Sequence, residues 1–432
     1  MAKAKVLIIG SGGREHALAW KLKASPKIEK IFIAPGNAGT ALVGENVGIQ
    51  TSELEKLIDF AKKEKITLTV VGPDDALANG IVDAFQNQGL KIWGPSQKAA
   101  QVETSKSFGK ELMARQKIPT ADFKVFTEYQ EARAYLKEKT APIVIKASGL
   151  ALGKGVAVCQ NIAEAEKFLK EVMVEKIFGQ AGQQVVIEEY LEGPEISIHA
   201  FCDGEQFHLL PSAQDHKPVF DNDTGPNTGG MGTIAPVPWV NQELLNETAQ
   251  RVIIPCLKDL KKLNSPFIGL LYPGLKITPN GLKVLEFNAR FGDPETQSYM
   301  RLLKTDLYDI LTASVEGTLE NIIIEWADQF ACCIVLASGG YPGNYEKGKE
   351  ITGVDKAEKM DDIVIFHAGT KRVNNQLLTN GGRVLGITAT GETLRSALDK
   401  AYNAVKLIHF EGMHYRTDIG LKSLLNTEGA KY

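Results

Sequence analysis

Short apolar runs alternate with amphipathic segments along the first hundred residues. The apolar runs are KVLIIG, IEKIFIAPG, ITLTVVGP and LKIWGPS, and helical periodicity is clearest in TSELEKLIDFAKKEK between two of them. Apolar strands that alternate with amphipathic helices are typical of a parallel α/β sheet. The pattern therefore predicts an α/β domain at the start of the chain.

The pattern changes near residue 105. A helix closed by Pro119 and a second helix, EYQEARAYLKEK, precede two short strands, PIVIKA and GVAVCQ. These strands flank the glycine-rich SGLALGKG and predict a hairpin with a mobile tip. QQVVIEEYLEG predicts a further strand, and EISIHAFCDGEQFHLLP predicts two strands around an Asp-Gly turn.

Residues 212–232 show no regular pattern. A loop of this length without secondary structure is uncommon inside a compact domain and is usually functional. From residue 320 onward, the strands ACCIVLAS, IVIFHAG and GRVLGITATG and the helix ETLRSALDKAYNAVKLI predict a separate small α/β domain.

Composition excludes some classes of function. The 432 residues include 49 basic and 52 acidic side chains, a net charge of −3, which gives no basic surface for nucleic acid. The five cysteines form no C-x-x-C pair, in a chain too large to need disulfides. The start leads directly into a strand, and no run approaches the ~18 apolar residues of a membrane span. We therefore expect a cytoplasmic protein with no nucleic-acid or membrane partner.

The segment VLEFNARFGDPETQ begins as a strand whose polar positions need partners. Alternation would place Leu285, Phe287 and Ala289 on one apolar face, and would leave three polar side chains on the other face. Those three are Glu286, Asn288 and Arg290. Burial without partners would cost each polar group about 2 to 7 kcal/mol.

A divalent cation and a nucleotide would satisfy these side chains. Glu286 and Asn288 offer hard oxygen ligands of the kind that Mg²⁺ takes, and Arg290 could meet a transferring phosphoryl group. An internal pair between Glu286 and Arg290 is a poor alternative, because positions i and i+4 of a strand lie about 13 Å apart.

Two glycine-rich motifs could hold phosphates. GSGGRE, Gly10 to Glu15, follows a strand and opens a helix, so its N–H groups could bind a phosphate; the alternative is a structural turn. Glu15 replaces the third glycine of the dinucleotide motif, and no acidic residue ends the next strand, which disfavours NAD. The second motif places Lys146 and Lys154 beside SGLALGKG, with a flexible hairpin as the alternative. In EEYLEGPE, Glu195 could accept from ribose hydroxyls, or the segment could be a solvated acidic edge.

Eight motifs occur in order over nearly the whole chain. They are SGGREHALAW, IKASGLALGKGV, EEYLEGPEIS, QDHKPVFDNDTGPNTGGMG, EFNARFGDPETQ, ASGGYPGNYEKG, FHAGT and GGRVLGITATG. Together they resemble the phosphoribosylamine–glycine ligase family of the ATP-grasp superfamily, for which RFGDPE and DTGPNTGGMG are signatures.

This resemblance implies an α/β and α+β fold with an ATP-grasp core. It implies a Rossmann-like (pre-ATP-grasp) domain at residues 1–103, a central domain at 104–122 and 191–319, a lid at 123–190 and a small α/β domain at 320–432. The implied reaction, the second step of purine biosynthesis, ligates glycine to 5-phosphoribosylamine with ATP through glycyl phosphate. The products are glycinamide ribonucleotide, ADP and phosphate, and we expect a monomer that uses Mg²⁺ or Mn²⁺.

The resemblance also implies roles for individual residues. The metal ligands are Glu286 and Asn288, and the catalytic residues are Asp215 and Arg290. The ATP-binding residues are Lys106, Lys146, Gly153, Lys154, Gly155, Glu188, Glu189, Leu191 and Glu195. The substrate-binding residues are Gly10, Gly12, Gly13, Arg14, Glu15, Asp215, Asn227, Thr228, Gly229, Gly230 and Arg290. The chain departs from the family pattern in the lid, where Ser148 replaces a common Asp and Leu152 a usual Ala.

Three other functions fit parts of the sequence. Another carboxylate–amine ligase of the superfamily would share the nucleotide residues and differ in the N-terminal turn and the 215–232 loop. A nicotinamide-dependent dehydrogenase would bind a dinucleotide at that turn. A nucleotide sensor without enzymatic activity would bind ATP and release no ADP.

Overall fold

A computed structural model describes residues 3–151 and 154–427. The N-terminal strands form the predicted parallel sheet, with the strand Ala4–Gly10 between its neighbours Ile28–Pro35 and Leu68–Val71. Its strands in sheet order are Glu45–Asn46, Ile28–Pro35, Ala4–Gly10, Leu68–Val71 and Ile92–Trp93. Its helices are Gly13–Lys23, Thr40–Val43, Leu54–Glu64, Asp74–Ala78 and Ile81–Gln86.

The central region is built on an antiparallel sheet. Its strands are Glu195–Ser197, Ala200–Asp203, Phe207–Leu209, Ile268–Thr278 and Gly281–Asn288. Its helices are Gln101–Thr104, Lys106–Arg115, Gln242–Thr248, Ile254–Lys262, Glu295–Leu302 and Leu307–Glu316. The predicted Asp-Gly turn is present, since the Asp203 carboxylate accepts from the N–H groups of Glu205 and Gln206.

A second antiparallel sheet covers one side of the central region. Its strands in sheet order are Phe123–Phe126, Val185–Glu189, Ile143–Ala147 and Val156–Cys159, and its helices are Tyr129–Lys137 and Ile162–Met173. The predicted hairpin is present, because residues 143–147 and 156–159 pair antiparallel. Leu152 and Gly153, at its tip, lie outside the described residues.

The C-terminal sheet takes the strand Gln214–Asp215 from the loop that the sequence predicted to be irregular, and another of its strands begins at Gly232, the last residue of that loop. Its strands in sheet order are Gln214–Asp215, Gly232–Ala235, Phe330–Ala337, Arg383–Gly391 and Ile363–His367. Its helices are Val354–Ala357, Leu394–Val405 and Leu421–Thr427. The prediction of an irregular loop is therefore wrong at residues 214–215 and at Gly232.

Two hairpins were not predicted. Strands Pro218–Phe220 and Thr224–Asn227 pair around Asn222 and Asp223, whose φ angles of 59° and 57° suit Asn and Asp better than most residues. Strands Thr370–Val373 and Gln376–Thr379 pair around an Asn-Asn turn with positive φ at both residues. Two-residue hairpin loops prefer this geometry, but the usual signal has glycine at the second position.

The strand Gly281–Asn288 carries a bulge that changes its face alternation. Val284 pairs with Leu275 and Glu286 with Gly274, so Leu285 has no partner across the ladder. Leu282 and Val284 are buried before the bulge, and Phe287 is buried after it. The prediction that Leu285 shares the core face with Phe287 is therefore wrong, because the extra residue shifts the phase of the strand by one.

Apolar packing fixes the end of this strand against the N-terminal sheet. Phe291 is fully buried, its ring lies 4.9 Å from that of Trp93, and it also contacts Phe201. The same core contains Val6 and Ile8 of the first strand. The turn that follows Asn288 is thus held between the N-terminal and central regions.

Two further findings concern the whole chain. The five cysteines, Cys159, Cys202, Cys256, Cys332 and Cys333, are buried and have free thiols. Over the described ranges, the helices are all too short or too polar to cross a lipid bilayer.

We predict that Phe291→Ala destabilises the protein by about 3 to 5 kcal/mol, because truncation of a buried aromatic side chain leaves a cavity. The urea concentration at the unfolding midpoint should fall accordingly. Ile323→Ala is the control: Ile323 is 82% exposed, so the midpoint should barely change. Equal midpoints for Phe291→Ala and Ile323→Ala would contradict this account of the core.

Candidate active site

Two buried lysines share one buried glutamate beneath the second sheet. The Lys146 and Lys110 Nζ atoms each lie 2.6 Å from a Glu188 carboxylate oxygen. Lys146 also donates to the carbonyl of Leu285, the bulge residue, at 3.1 Å. Burial lowers the pKa of Lys110 to about 8. Three charges are therefore held in place below the glycine-rich hairpin, with the bulge carbonyl as a further partner.

Glu286 is held ionised by the cations around it. Burial opposes its ionisation, but Lys146, Lys106, Lys217 and Arg290 outweigh burial and lower the pKa of this carboxyl. Asn288 follows two residues later, and its Oδ1 accepts one long hydrogen bond, at 3.3 Å from Arg290. An anionic carboxylate and a weakly engaged amide oxygen form a donor set that suits a hard divalent cation.

Protein carboxylates alone would not complete a cation site here. The described ranges contain no group of three His, Cys, Asp or Glu side chains arranged to hold a metal. A cation at Glu286 and Asn288 would need further oxygen ligands, which fits Mg²⁺ bound jointly by protein and phosphates.

Arg290 is fixed by a carboxylate that is distant in sequence. Its Nη2 lies 2.9 Å from a Glu103 oxygen, and Nη1 donates to the carbonyl of Phe291 at 3.2 Å. The other Glu103 oxygen accepts the N–H of Ala289 at 2.7 Å. The Arg290 Nε is buried without a hydrogen-bond partner among the described residues. The guanidinium thus keeps one donor unused.

Asp215 lies in a second charged cluster, together with Lys217 and Glu195. Lys217 Nζ is 3.7 Å from both Asp215 and Glu195. Burial raises the pKa of Asp215, and the nearby charge of Glu295 raises it further. A carboxyl group with a raised pKa can exchange a proton near neutral pH.

Glu295 lies in a buried polar network behind this cluster. The Tyr272 hydroxyl donates to Glu295 Oε1, and the Ser197 hydroxyl is 2.9 Å from that of Tyr272. The His199 ring stacks on Tyr272 with centroids 3.9 Å apart, and burial lowers the pKa of His199 to about 3. The network is therefore built around a neutral imidazole and holds the helix Glu295–Leu302 against the central sheet.

The N-terminal glycine turn packs against the segment that follows Arg290. Arg14 Nη1 donates to the Phe291 carbonyl at 3.1 Å. A Cβ at Gly12 would lie 2.9 Å from Glu15 Oε2 and 3.3 Å from Asp293 Oδ2, so a side chain there would displace the Glu15 carboxylate. The Glu15 carboxylate turns inward, where it accepts the Gly12 N–H at 2.5 Å and Arg14 Nε at 2.6 Å. The sequence did not predict this structural role for Glu15.

A cavity of about 310 Å³ opens between this turn and the C-terminal sheet. Arg383 enters it, donates to the carbonyls of Gly229 and Asp293 at 2.7 Å each, and lies 3.2 Å from an Asp293 carboxylate oxygen. Asn37 joins the two walls, since its side chain donates to the carbonyls of Ser11 and His367. The lining residues are Ser11, Gly12, Gly36, Asn37, Asp293, Ala368, Gly369, Thr370, Asn380, Gly381 and Arg383.

The loop 227–230 closes over Asp215. The Thr228 hydroxyl donates to the Lys217 carbonyl and accepts the N–H of Gly230. Gly230 has φ of 116°, and a Cβ there would lie 2.5 Å from both Asp215 Oδ1 and Pro294 Cδ. Thr228 therefore shapes the loop, whereas Asn227 is exposed at its end.

The predicted ATP-binding residues are not all in contact with one another. Glu189 pairs with Lys283 at 2.7 Å, at the outer edge of the site. Leu191 is buried just beyond Glu189, and Lys154 is exposed on the hairpin. Gly155 is buried at the base of the hairpin, while the predicted Gly153 lies outside the described residues. The Ser148 hydroxyl, at the position that departs from the family pattern, lies 2.9 Å from that of Ser107 on the helix Lys106–Arg115.

Several charged residues of the site were not predicted. They are Glu103, Lys110, Lys217, Asp293, Glu295 and Arg383. Asp293 and Glu295 stand in the RFGDPE motif, and Lys217 is next but one to Asp215, so proximity to predicted residues was a usable signal. Glu103 and Lys110 lie on helices, where a charged side chain normally faces water.

Comparison with known proteins gives matches along the length of the chain. Family models match the phosphoribosylglycinamide synthetase N domain at residues 4–103, the ATP-grasp (A) domain at 104–296 and the C domain at 331–422. A phosphoribosylamine–glycine ligase of Caldanaerobacter subterraneus is 49% identical, over 96% of this chain and 99% of the relative. One of Rhodopirellula baltica is 46% identical over 100% of both.

Solved structures agree with these matches. The crystal structure of phosphoribosylamine–glycine ligase from Thermotoga maritima has a TM-score of 0.84 at 33% identity, over 96% of this chain and 100% of that one. The biotin carboxylase domain of a Hydrogenobacter thermophilus 2-oxoglutarate carboxylase has a TM-score of 0.73 at 16% identity, over 100% and 96% of the two chains. The second similarity concerns the fold alone.

We predict that Glu188→Gln lowers the free energy of unfolding by about 3 to 5 kcal/mol, because Lys110 and Lys146 lose a shared buried counter-charge. Urea unfolding measures the loss. The adjacent Glu189→Gln is the matched control, since its pair with Lys283 is partly exposed and should contribute less than about 1 kcal/mol. Lys110→Met added to Glu188→Gln should recover part of the loss. A double variant no more stable than Glu188→Gln would contradict the shared pairing.

Proposed function

The chain belongs to the phosphoribosylglycinamide synthetase family, and on that premise we propose that it ligates glycine to 5-phosphoribosylamine with ATP. The products are glycinamide ribonucleotide, ADP and phosphate, and the reaction belongs to purine biosynthesis. The segment 286–295 is the main support for this proposal. Its side chains lie next to three features: the buried lysines that include Lys146, the carboxylate of Asp215, and the cavity beside the C-terminal sheet.

ATP would lie between the glycine-rich hairpin and the central sheet. Lys106, Lys146 and Lys154 would neutralise the charge of its phosphates, and the N–H group of Gly155 would donate a hydrogen bond to them. The strand end Glu189 to Leu191 would meet the adenine, and Glu195 would accept from the ribose hydroxyls. Glu188 contributes indirectly, because it fixes the Lys146 ammonium at 2.6 Å.

Glu286 and Asn288 would hold a divalent cation, Mg²⁺ or Mn²⁺. Such a cation supplies positive charge to the phosphates when it is bound. Glu286 is suited to this role because the surrounding lysines keep it anionic, and Asn288 because its oxygen has only a long hydrogen bond.

Arg290 and the lysines of the lid would stabilise the transition state of the first chemical step. The glycine carboxylate attacks the γ-phosphorus of ATP, the bond between that phosphorus and the β,γ-bridging oxygen breaks, and glycyl phosphate forms as ADP leaves. Negative charge spreads over the transferring oxygens during this step. A guanidinium already fixed in a buried site stabilises that charge without reorganisation. Closure of the hairpin would keep water away from the acyl phosphate.

The second step needs a nucleophilic amine and a leaving phosphate. The amine of 5-phosphoribosylamine attacks the glycyl carbonyl, phosphate leaves, and the amine gives up a proton. Asp215 would accept that proton, since burial and Glu295 raise its pKa toward neutrality. Lys217, 3.7 Å away, would then stabilise the phosphate or the carboxylate.

The sugar phosphate would occupy the cavity between the N-terminal turn and the C-terminal sheet. The N–H groups of Gly10 to Gly13 and the start of the helix Gly13–Lys23 provide a partly positive surface for an anion. Arg14 and Glu15 shape that turn, and Arg383, which the ion pair with Asp293 holds in place, supplies the guanidinium that would bind the phosphate. Asn227, Thr228 and Gly229 would close the cavity toward Asp215.

We also propose that the protein is a cytoplasmic monomer. Its five buried free cysteines suit a reducing compartment.

Purified protein incubated with ATP, glycine, Mg²⁺ and freshly generated 5-phosphoribosylamine should form glycinamide ribonucleotide, detected by mass spectrometry with equimolar ADP. Glu286→Gln should lower kcat at least ~100-fold, because the carboxylate charge at the cation site is lost. Glu316→Gln, which removes a surface partner of Lys91, is the control. ADP release without the ribonucleotide, or product formed from a different amine, would contradict the proposed substrates.

A further prediction concerns the sugar-phosphate cavity. Arg383→Met should raise KM for 5-phosphoribosylamine about 10- to 100-fold and leave KM for ATP within about threefold, because only the sugar end loses its cation. Arg372 is exposed on the strand Thr370–Val373, so Arg372→Met should leave KM for 5-phosphoribosylamine and KM for ATP unchanged. Equal increases in both KM values for Arg383→Met would contradict the assignment of this cavity to the sugar phosphate.

A further inference from the structure

Glu103, at the boundary between the N-terminal and central domains, contacts the end of the proposed cation-binding strand Gly281–Asn288. Its two carboxylate oxygens have different partners: one lies 2.9 Å from Arg290 Nη2, and the other accepts the Ala289 N–H at 2.7 Å. The carboxylate is 7% exposed. One buried group thereby fixes both the backbone beside Asn288 and the guanidinium two residues further on.

Two further oxygen-bearing side chains near Arg290, those of Asn288 and Glu286, could compete with Glu103 for its guanidinium. Its Nη2 already contacts the Asn288 oxygen at 3.3 Å, and its charge contributes to the ionisation of Glu286. A guanidinium without Glu103 would gain most by turning toward these two residues, which are the proposed cation ligands. The cation and Arg290 would then compete for the same oxygens.

Other charges near Glu103 do not replace this contact. Burial raises the pKa of Glu103 to about 6, Arg290 and Arg14 oppose that rise, and Asp74 adds to it. Arg14 is already engaged with Glu15 and with the Phe291 carbonyl. Arg290 is therefore the cation that compensates the buried carboxylate, and Glu103 is in turn its charged partner.

We propose that Glu103 is a positioning residue, which holds the Arg290 guanidinium toward the reacting phosphoryl group and prevents it from moving closer to Glu286 and Asn288. With Glu103 in place, the contact of Arg290 with Asn288 is limited to one long hydrogen bond. Glu103 touches no substrate in this scheme and acts through Arg290. This inference rests on the proposed function.

Glu103→Gln is the test. The oxygen of the introduced amide can still accept the Ala289 N–H, but the amide NH₂ group would face the guanidinium and repel it. We expect kcat to fall about 10- to 100-fold with KM for ATP within about threefold. Binding of Mn²⁺ in the presence of a non-hydrolysable ATP analogue, measured by calorimetry, should weaken about tenfold. Glu103→Asp, which keeps the charge, should recover part of kcat.

Asp259→Asn provides a control for loss of a buried carboxylate. Asp259 lies on the helix Ile254–Lys262. Its carboxylate accepts hydrogen bonds from Arg115 at 2.8 Å and from Gln116 at 2.6 Å. This variant should lose thermal stability while kcat and Mn²⁺ affinity stay within about twofold of the wild type. A purely structural role for Glu103 would give the same result as Asp259→Asn.

A double variant keeps the test decisive if Glu103→Gln folds poorly. In an Arg290→Met background there is no guanidinium to hold, so adding Glu103→Gln should change kcat less than about twofold and should raise the melting temperature. A further tenfold loss of kcat in that background would overturn the proposal, as would wild-type kcat and Mn²⁺ affinity in Glu103→Gln. An inactive wild type would instead contradict the proposed function.

Discussion

Pairing of buried charges is the constraint on which this site depends. Removal of an ionised group from water costs several kcal/mol unless an opposite charge or hydrogen bonds compensate. Three carboxylates form ion pairs around the strand Gly281–Asn288 and the turn after it. Glu188 pairs with two lysines, Glu103 pairs with Arg290, and Asp293 pairs with Arg383. Among the described residues, the anionic Glu286 and the unused Arg290 Nε then stand out as groups prepared for a ligand.

These pairs also join the separate parts of the chain. The turn after Asn288 receives Arg14 from the N-terminal domain and Arg383 from the C-terminal sheet, and its Phe291 ring packs beside Trp93. The N-terminal and C-terminal parts of the protein thus both contribute partners to the same short segment. The geometry of the reacting groups is consequently set by contacts between domains as much as by the strand that carries them.

Elements that depend on local sequence patterns were predicted correctly, whereas contacts between residues distant in the sequence were not predicted. The parallel N-terminal sheet and the glycine-rich hairpin followed from periodicity and turn residues. The bulge at Leu285 did not, because a strand's register depends on its partner strand. Glu103 is 186 residues from Ala289, so no spacing in the chain indicates that contact. The specific roles of the site residues, including Asp215 and Asn288, remain proposals.

The two short strands Gln214–Asp215 and Gly232–Ala235 have a consequence for how this polypeptide can be divided. They leave the central region and complete the edge of the C-terminal sheet beside Phe330–Ala337. A fragment of the protein ending near residue 320 would contain two strands without their partner in the C-terminal sheet. The remaining C-terminal fragment would expose an unpaired strand edge, which is prone to aggregation. Division of the gene at that boundary would therefore separate strands that pair in the folded protein, although the sequence alone suggests a separate C-terminal domain.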